Sequence, residues 1–484
     1  MEKEKKLKQQ TIFSLLWNAF DKIGFQVIAF IIGLVTLRLL SPRDFGLIGA
    51  LAIFTALSNI LVESGFTSAM VRRENNTDNE YTAILCFNVF LSLFFYVNLY
   101  FSAELIAEYF KMPELVDLSR FIFLSILFNS FSIVQSIILT KELSFKKLST
   151  SNICAAVVSG VVTIILILNG YTYWALAWQI LLQAAIKCIM LWIFSKWRPK
   201  ASADFSIIKK VAVFSFSLIL SSLLNTFVRY IYNPIIGKKF GEEQLGYYSE
   251  AYKFYFLPSN IISSTICGVA YPVLSKLNND ENRQTNYLRK MVRMAAFGIF
   301  PIMLGSMACF DNLTIAILTE KWKNIIPYFQ ILAIAGITVP FHALYLGFLT
   351  LKGYPVRNFA LELIRNILIV TPLFFFHDNI IWMLWSFTIA NILSYCVDLF
   401  FIRKVINYKI IEQIKDILPY GVIALFMAII VYSINYLPIK SIGIKIILQI
   451  SIGCVFYLTT CHIAGSVIVK EIVKNIKAVL LPPK

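Results

Sequence analysis

Long apolar stretches separated by short polar segments run along almost the whole chain. A helix rises 1.5 Å per residue, so about 20 apolar residues cross the roughly 30 Å hydrocarbon core of a bilayer. The pattern predicts an all-α integral membrane protein with about fourteen transmembrane helices. The predicted helices cover approximately residues 12–40, 45–70, 82–103, 116–140, 149–168, 172–195, 208–237, 246–274, 288–310, 325–350, 357–376, 381–402, 416–436 and 442–468.

The composition supports this prediction. Of the 484 residues, 58% are hydrophobic and 15% are charged, whereas about 25% of the residues in an ordinary soluble domain are charged. These values exclude a soluble globular protein and a disordered chain. The formal net charge of +17 would suggest a nucleic-acid partner in a soluble protein. In so apolar a chain, basic cytoplasmic loops explain the charge better, and no nucleic-acid partner is expected.

The positions of the basic residues predict the orientation of the chain. When the N-terminus is taken as cytoplasmic, the segments on its side of the membrane carry 29 lysines and arginines, and the opposite loops carry 8. Cytoplasmic loops of membrane proteins are enriched in these residues. The asymmetry therefore predicts that both termini are cytoplasmic.

A short motif recurs at a spacing of 200 residues. The first copy reads Arg38-Leu-Leu-Ser-Pro-Arg-Asp-Phe-Gly46, and the second reads Lys238-Lys-Phe-Gly-Glu-Glu-Gln-Leu-Gly246. Six predicted spans separate the copies, which indicates two parallel repeats of six helices. We expect one six-helix lobe in residues 1–200, a second in residues 201–405, and two extra helices with a cytoplasmic tail in residues 406–484.

Polar side chains recur at helical spacing inside several predicted spans. Asn18 and Lys22 share a face of the first span, and Asn225 and Arg229 share a face of the seventh, because residues four positions apart are neighbours on a helix. An ionised side chain at the bilayer centre costs about 2.5–3.5 kcal/mol on insertion scales, so such a group faces a partner or a water-filled cavity. Other ionisable residues in the spans include Asp21, Glu63, Glu250, Lys253, Glu362 and Arg365.

These residues have two interpretations: they line a central cavity, or they form structural ion pairs between helices, such as Asp21 with Arg229. A basic cavity suits an anionic ligand such as a pyrophosphate, because Arg and Lys pair with phosphate oxygens. The cavity interpretation assigns substrate binding to the basic and amide side chains Asn18, Lys22, Asn225, Arg229, Lys253 and Arg365. The carboxylates that would serve ion coupling or structural pairing are Asp21, Glu63, Glu250 and Glu362.

Motifs for catalysis or cofactor binding are missing from the sequence. There is no nucleotide-binding P-loop, no nucleophile elbow and no zinc-protease motif. The 8 cysteines include no C-x-x-C pair and the 3 histidines are scattered, so neither a disulfide framework nor a metal site is expected. An enzyme is therefore the weaker hypothesis, and no catalytic residue, cofactor or metal is predicted.

Four motifs, in order along the chain, carry a resemblance to a known family. The chain resembles the bacterial polysaccharide-export flippases of the multidrug/oligosaccharidyl-lipid/polysaccharide transporter superfamily, especially the colanic-acid-type exporter branch. The matching stretches are Leu40-Ser-Pro-Arg-Asp-Phe-Gly46, Leu139-Thr-Lys-Glu-Leu-Ser-Phe-Lys146, Asn169-Gly-Tyr-Thr-Tyr-Trp-Ala-Leu176, and Ile236-Gly-Lys-Lys-Phe-Gly241 with Leu245-Gly-Tyr-Tyr-Ser-Glu-Ala251.

This resemblance implies a fold and a function. The fold would be two six-helix lobes around a central cavity plus two C-terminal helices. The function would be translocation of undecaprenyl-pyrophosphate-linked oligosaccharide across the bacterial inner membrane by alternating access, for lipopolysaccharide, capsule or exopolysaccharide biosynthesis. We expect a monomer, with H⁺ or Na⁺ as a possible coupling ion. Two alternatives stay open: a cation-coupled small-molecule exporter of the same architecture, and a membrane-embedded glycan polymerase.

Overall fold

The regular structure of the chain is helical wherever the structure describes it. The computed structural model describes residues 24–63, 66–200, 202–277, 280–406 and 408–471, and within these ranges it contains no strand. The prediction of an all-α fold is confirmed. Three predicted site residues, Asn18, Asp21 and Lys22, lie outside the described residues.

The described part of the chain falls into two compact units, one ending at Gly246 and the other beginning at Tyr247. The helices of the first unit are α1 (Gly24–Leu39), α2 (Pro42–Glu63), α3 (Phe66–Arg72), α4 (Asp78–Phe101), α5 (Ala103–Phe110), α6 (Leu115–Ile122), α7 (Leu124–Lys141), α8 (Phe145–Leu168), α9 (Thr172–Phe194), α10 (Ser206–Tyr230) and the start of α11 (Tyr232–Lys276). The second unit holds the rest of α11 and α12 (Glu281–Leu313), α13 (Ile325–Leu351), α14 (Pro355–Val370), α15 (Ile380–Val405), α16 (Ile410–Ser433) and α17 (Ile442–Ile463).

Most of the predicted spans coincide with helices of the described residues. In these residues, 11 helical stretches are long and apolar enough to cross a membrane. One of them, Ile219–Lys276, contains the predicted span 246–274 and the end of the span 208–237, and it bends at Gly241, where φ is 84°. The two other predicted spans coincide with the shorter helices α1 and α14. The protein is a multi-pass membrane protein, while the domain boundaries at residues 200 and 405 remain predictions.

The first repeat motif forms the start of α2. Ser41 precedes the helix, Pro42 occupies its first position, and the buried Asp44 accepts hydrogen bonds from the Ser41 backbone N–H (2.8 Å) and hydroxyl (2.6 Å). Proline suits this position because the first N–H groups of a helix have no intrahelical acceptor. The carboxylate at the third position satisfies the N–H of the residue that precedes the helix, as in a capping box.

The two copies of the motif contact each other within the first unit. A Cβ atom placed on Gly46 would overlap with the backbone carbonyl of Glu242, and one on Gly246 would overlap with the backbone carbonyl of Pro42. The contact is reciprocal, since the glycine that ends each copy meets the fifth residue of the other copy. Only glycine allows two backbones to approach so closely. Arg43 strengthens the contact by donating a hydrogen bond to Glu242 (3.0 Å).

At two prolines inside helices of the second unit, a neighbouring helix replaces the backbone hydrogen bond that the proline removes. Proline has no N–H, so the carbonyl four residues earlier loses its helical partner. In α13, Pro340 releases the carbonyl of Gly336, which accepts a hydrogen bond from the Ser259 hydroxyl of α11 (3.0 Å). In α12, Pro301 releases the carbonyl of Phe297, which accepts one from the Tyr457 hydroxyl of α17 (3.0 Å). At both prolines, the carbonyl without a helical partner therefore forms a hydrogen bond between two helices.

We predict that Gly46→Ala and Gly246→Ala destabilise the protein, because the added methyl group meets backbone that no rotamer change can move. Overpacking of this kind costs about 1–3 kcal/mol or more. Thermal unfolding of the detergent-purified protein, monitored by loss of the monodisperse peak in size-exclusion chromatography, measures the effect. Gly268→Ala is the matched control, because its Cβ would have no neighbour within 4 Å. Unfolding temperatures equal to that of the unaltered protein for both variants would refute the close-contact explanation.

Candidate functional site

Three of the predicted site residues lie in the first compact unit. Asn225 and Arg229 are one turn apart on α10, and both are exposed on the unit. Glu63 is the last residue of α2 and is also exposed. An arginine inside an apolar span needs polar surroundings, which a protein group, water, a lipid headgroup or an anionic ligand can provide. The position of Arg229 is therefore compatible with the cavity interpretation, which stays a prediction.

The second unit contains the predicted pair on α11. The Lys253 ammonium donates a hydrogen bond to the Glu250 carboxylate (2.5 Å), and the two residues form an ion pair at the spacing of three residues. The carboxylate is buried, with 6% of its side chain exposed, whereas 66% of the Lys253 side chain is exposed. The lysine thus compensates the charge of a buried carboxylate. Its own side chain is exposed, so a ligand can also reach it.

Arg365 connects α14 to α15. Its guanidinium donates a hydrogen bond to the side-chain oxygen of Asn391 (3.3 Å), and both Arg365 and Glu362 are half-buried. The two charged residues are three positions apart, so they share one face of α14. This face is directed towards a buried polar group on α13 and α15.

That group is a histidine–aspartate pair. Nδ1 of His342 on α13 lies 2.6 Å from Oδ2 of Asp398 on α15, and the two residues are 5% and 0% exposed. Their outer atoms, Nε2 of His342 and Oδ1 of Asp398, are buried and have no hydrogen-bond partner among the described residues. Arg365 and Glu362 both interact electrostatically with the His342 ring. The structure thus brings two predicted site residues together with two that the sequence-based assignment omitted.

A second buried carboxylate lies on α16. Asp416 accepts hydrogen bonds from the guanidinium groups of Arg289 (2.8 Å) and Arg293 (2.8 Å) of α12, and from the Tyr408 hydroxyl (2.8 Å). Only 4% of the Asp416 side chain is exposed, compared with 26% of Arg289. Charge-assisted bonds from two arginines compensate for the desolvation of the carboxylate.

Tyr345 and Gln413 form hydrogen bonds between the helices that carry these two carboxylates. The Tyr345 hydroxyl, one turn from His342 on α13, donates a hydrogen bond to the Gln413 side-chain oxygen (2.9 Å). The Gln413 amide donates in turn to the backbone carbonyls of Tyr408 (2.9 Å) and Leu399 (3.3 Å). Leu399 follows Asp398 directly. These hydrogen bonds therefore join α13, α15 and α16 close to both buried carboxylates.

The sequence pattern did not reveal this pair, for a physical reason. Helical periodicity identifies polar residues that share one helix, whereas His342 and Asp398 are 56 positions apart and each lies in an apolar helix. Asp398 is detectable only as a carboxylate inside a span, which is itself a signal of function. His342 carries an even weaker signal, because a single histidine in a span has no companion at helical spacing.

The chain is similar to known proteins in its sequence and in its fold. The profile of the family described as "Polysaccharide biosynthesis protein" matches residues 35–327. The teichuronic acid biosynthesis protein TuaB of Bacillus subtilis (strain 168) is 25% identical, over 79% of this chain and 80% of TuaB. The succinoglycan biosynthesis transport protein ExoT of Rhizobium meliloti (strain 1021) is 22% identical, over 67% of this chain and 66% of ExoT.

A solved structure has a similar fold. The lipid II flippase MurJ in an inward closed conformation superposes with a TM-score of 0.75, over 92% of this chain and 99% of MurJ. The sequences are 16% identical over this range, so the similarity concerns the fold alone. It extends over both compact units.

We predict that Asp416→Ala strongly destabilises the second unit, because it leaves Arg289 and Arg293 without their shared partner. Removing one member of a buried ion pair typically costs about 3–5 kcal/mol. Thermal unfolding in detergent provides the measurement. The control is Glu471→Gln, which breaks the more exposed ion pair between Glu471 and Lys290 of α12, where a cost of about 0–1 kcal/mol is typical. Equal stability of the two variants would contradict a structural role for the buried carboxylate.

Proposed function

This chain belongs to the polysaccharide biosynthesis protein family, and from that premise we propose that it is a flippase for lipid-linked oligosaccharides. It would move an undecaprenyl-pyrophosphate-linked oligosaccharide from the cytoplasmic to the periplasmic leaflet of the bacterial inner membrane. The product would serve surface polysaccharide biosynthesis. The observation that carries the proposal is the family match over residues 35–327, in a chain whose described part contains 11 helical stretches long and apolar enough to cross a membrane.

The physical problem of such a flippase is the passage of a charged pyrophosphate through hydrocarbon. An unpaired charge in the bilayer interior is costly, so the transporter must supply basic groups along the route. Arg229, Lys253 and Arg365 lie on helices of the membrane region and are exposed or half-buried, which supports this role. The side chains of Asn18, Lys22 and Asn225 complete the set that we propose for substrate binding.

The proposed mechanism is alternating access of two six-helix lobes around a central cavity. The lobes would comprise residues 1–200 and 201–405, followed by the two extra helices of residues 406–484. The sequence repeat supports this arrangement. The name of MurJ, a lipid II flippase, fits a lipid-linked substrate, and the name of ExoT fits polysaccharide transport. The 29-to-8 distribution of basic residues supports cytoplasmic termini, and we propose that a monomer suffices.

The test is the sidedness of the lipid-linked oligosaccharide in a strain that lacks the chromosomal copy of this gene. Spheroplasts labelled with a membrane-impermeant glycan reagent report the periplasmic pool, and lysed spheroplasts report the total. We predict that Lys22→Ala, Arg229→Ala and Arg365→Ala each fail to restore the periplasmic pool at normal protein level, since each removes a basic group that compensates the pyrophosphate.

The matched control is Arg283→Ala, because Arg283 lies exposed in the first turn of α12, outside the proposed cavity. Normal export by the three cavity variants would refute the cationic-cavity mechanism. Normal sidedness without the protein, combined with a failure to elongate the glycan, would identify a polymerase instead. Normal polysaccharide combined with increased sensitivity to small toxic cations would identify a small-molecule exporter.

A further inference from the structure

We propose that the His342–Asp398 pair is a proton-binding site whose occupancy is linked to the binding of the substrate pyrophosphate at Arg365. This inference rests on the proposed function, because it takes the pyrophosphate as the ligand of Arg365. It adds the identity of the coupling ion and the residues that bind it.

The burial of the pair supports this role. Asp398 is 0% exposed and has one hydrogen-bonding neighbour, His342, so the two side chains form an isolated polar site in the interior. A neutral imidazole and an ionised carboxylate together carry one negative charge, and one shared proton makes the pair neutral. A second proton gives the pair one positive charge, and loss of the shared proton restores the negative charge. The buried Nε2 of His342 and Oδ1 of Asp398, which lack partners among the described residues, are the atoms where that exchange can occur.

The charged and titratable groups around the pair come from several helices. Arg365 and Glu362 face it from α14, and Tyr345 and Tyr395 lie beside Asp398 on α13 and α15. The Tyr271 hydroxyl of α11 donates a hydrogen bond to the backbone carbonyl of Ala343, next to His342 (3.1 Å). On α16, the carboxylate of Asp416 is already paired with Arg289 and Arg293 of α12. Histidine is the group in this set whose ordinary titration range includes neutral pH.

The position of Arg365 supplies the link to substrate. A proton added to the pair increases the positive charge beside Arg365, which favours an anion there. By reciprocity, an anion bound at Arg365 favours the protonated pair to the same extent. Tyr345, one turn from His342 on α13, donates a hydrogen bond to Gln413 of α16, and the same helix carries Asp416, which pairs with the partly exposed Arg289 of α12. The site therefore has a physical means of sensing both a proton and a pyrophosphate.

The chain allows a direct test, because it contains only 3 histidines. The full-length protein, labelled with ¹⁵N-histidine and purified in detergent without a histidine tag, gives ring signals for His342, His377 and His462. The variants His377→Gln and His462→Gln assign the signals. The probe is inorganic pyrophosphate, added at about pH 6 and at about pH 8, on either side of the ordinary histidine range.

We expect the His342 signal to change with pH and to respond to pyrophosphate, with an affinity about fivefold or more higher at the lower pH. The charge of pyrophosphate itself also changes between these pH values, and the Asp398→Asn variant, measured in parallel, corrects the affinities for this effect. The Arg365→Ala variant should abolish the response of the His342 signal to pyrophosphate. A His342 signal that is constant between about pH 5 and 8 would overturn the proposal. Equal pyrophosphate affinities at the two pH values would also overturn it.

Export in cells separates this proposal from the proposed function. We expect His342→Gln and Asp398→Asn to lose export, while His377→Gln keeps it, because His377 forms a more exposed pair with Asp378 (3.3 Å). Normal export by both buried-pair variants would reject proton linkage and leave the flippase intact. Conversely, a His342 signal that responds to protons and pyrophosphate, in a protein whose absence does not change oligosaccharide sidedness, would reject the flippase and retain the proton site.

Discussion

The structure depends on one constraint: a polar group inside hydrocarbon has no water to bind, so the protein itself must supply its partner. This constraint explains why the described spans are helices, which satisfy nearly all of their own backbone groups. It also explains the exceptions. Where proline leaves a carbonyl without a helical partner, Ser259 and Tyr457 donate from neighbouring helices. The requirement to pair polar groups thus becomes a specific set of contacts between helices.

The same constraint separates the charged residues of the spans into two kinds. Asp416 is fully partnered by two arginines and a tyrosine, which gives it a structural role between α12 and α16. The His342–Asp398 pair is only partly satisfied, and it lies beside Arg365. Partial satisfaction in a buried site leaves atoms available for a ligand or a proton, whereas unpaired buried polar atoms cost stability. This difference is the reason why we propose a functional role for the pair and a structural one for Asp416.

The family and the fold give these charges a chemical context. The chain belongs to the polysaccharide biosynthesis protein family, and the flippase that we propose would need basic groups on its spans to carry a pyrophosphate. The two copies of the sequence motif contact each other reciprocally through Gly46 and Gly246. Each compact unit carries a basic residue of the proposed set inside a span, for example Arg229, which is exposed, in the first unit, and Arg365, which is half-buried, in the second.

The sequence by itself determined the helical class, the positions of the spans, the family and the polar faces within single helices, such as Asn225 with Arg229 and Glu250 with Lys253. Hydropathy and helical spacing are local properties, so a window of about 20 residues contains them. Only the tertiary structure decided that His342 meets Asp398 and that Asp416 meets Arg289 and Arg293, over separations of 56, 127 and 123 positions. Such pairs depend on which helices pack together and at what depth, and no local pattern encodes that choice.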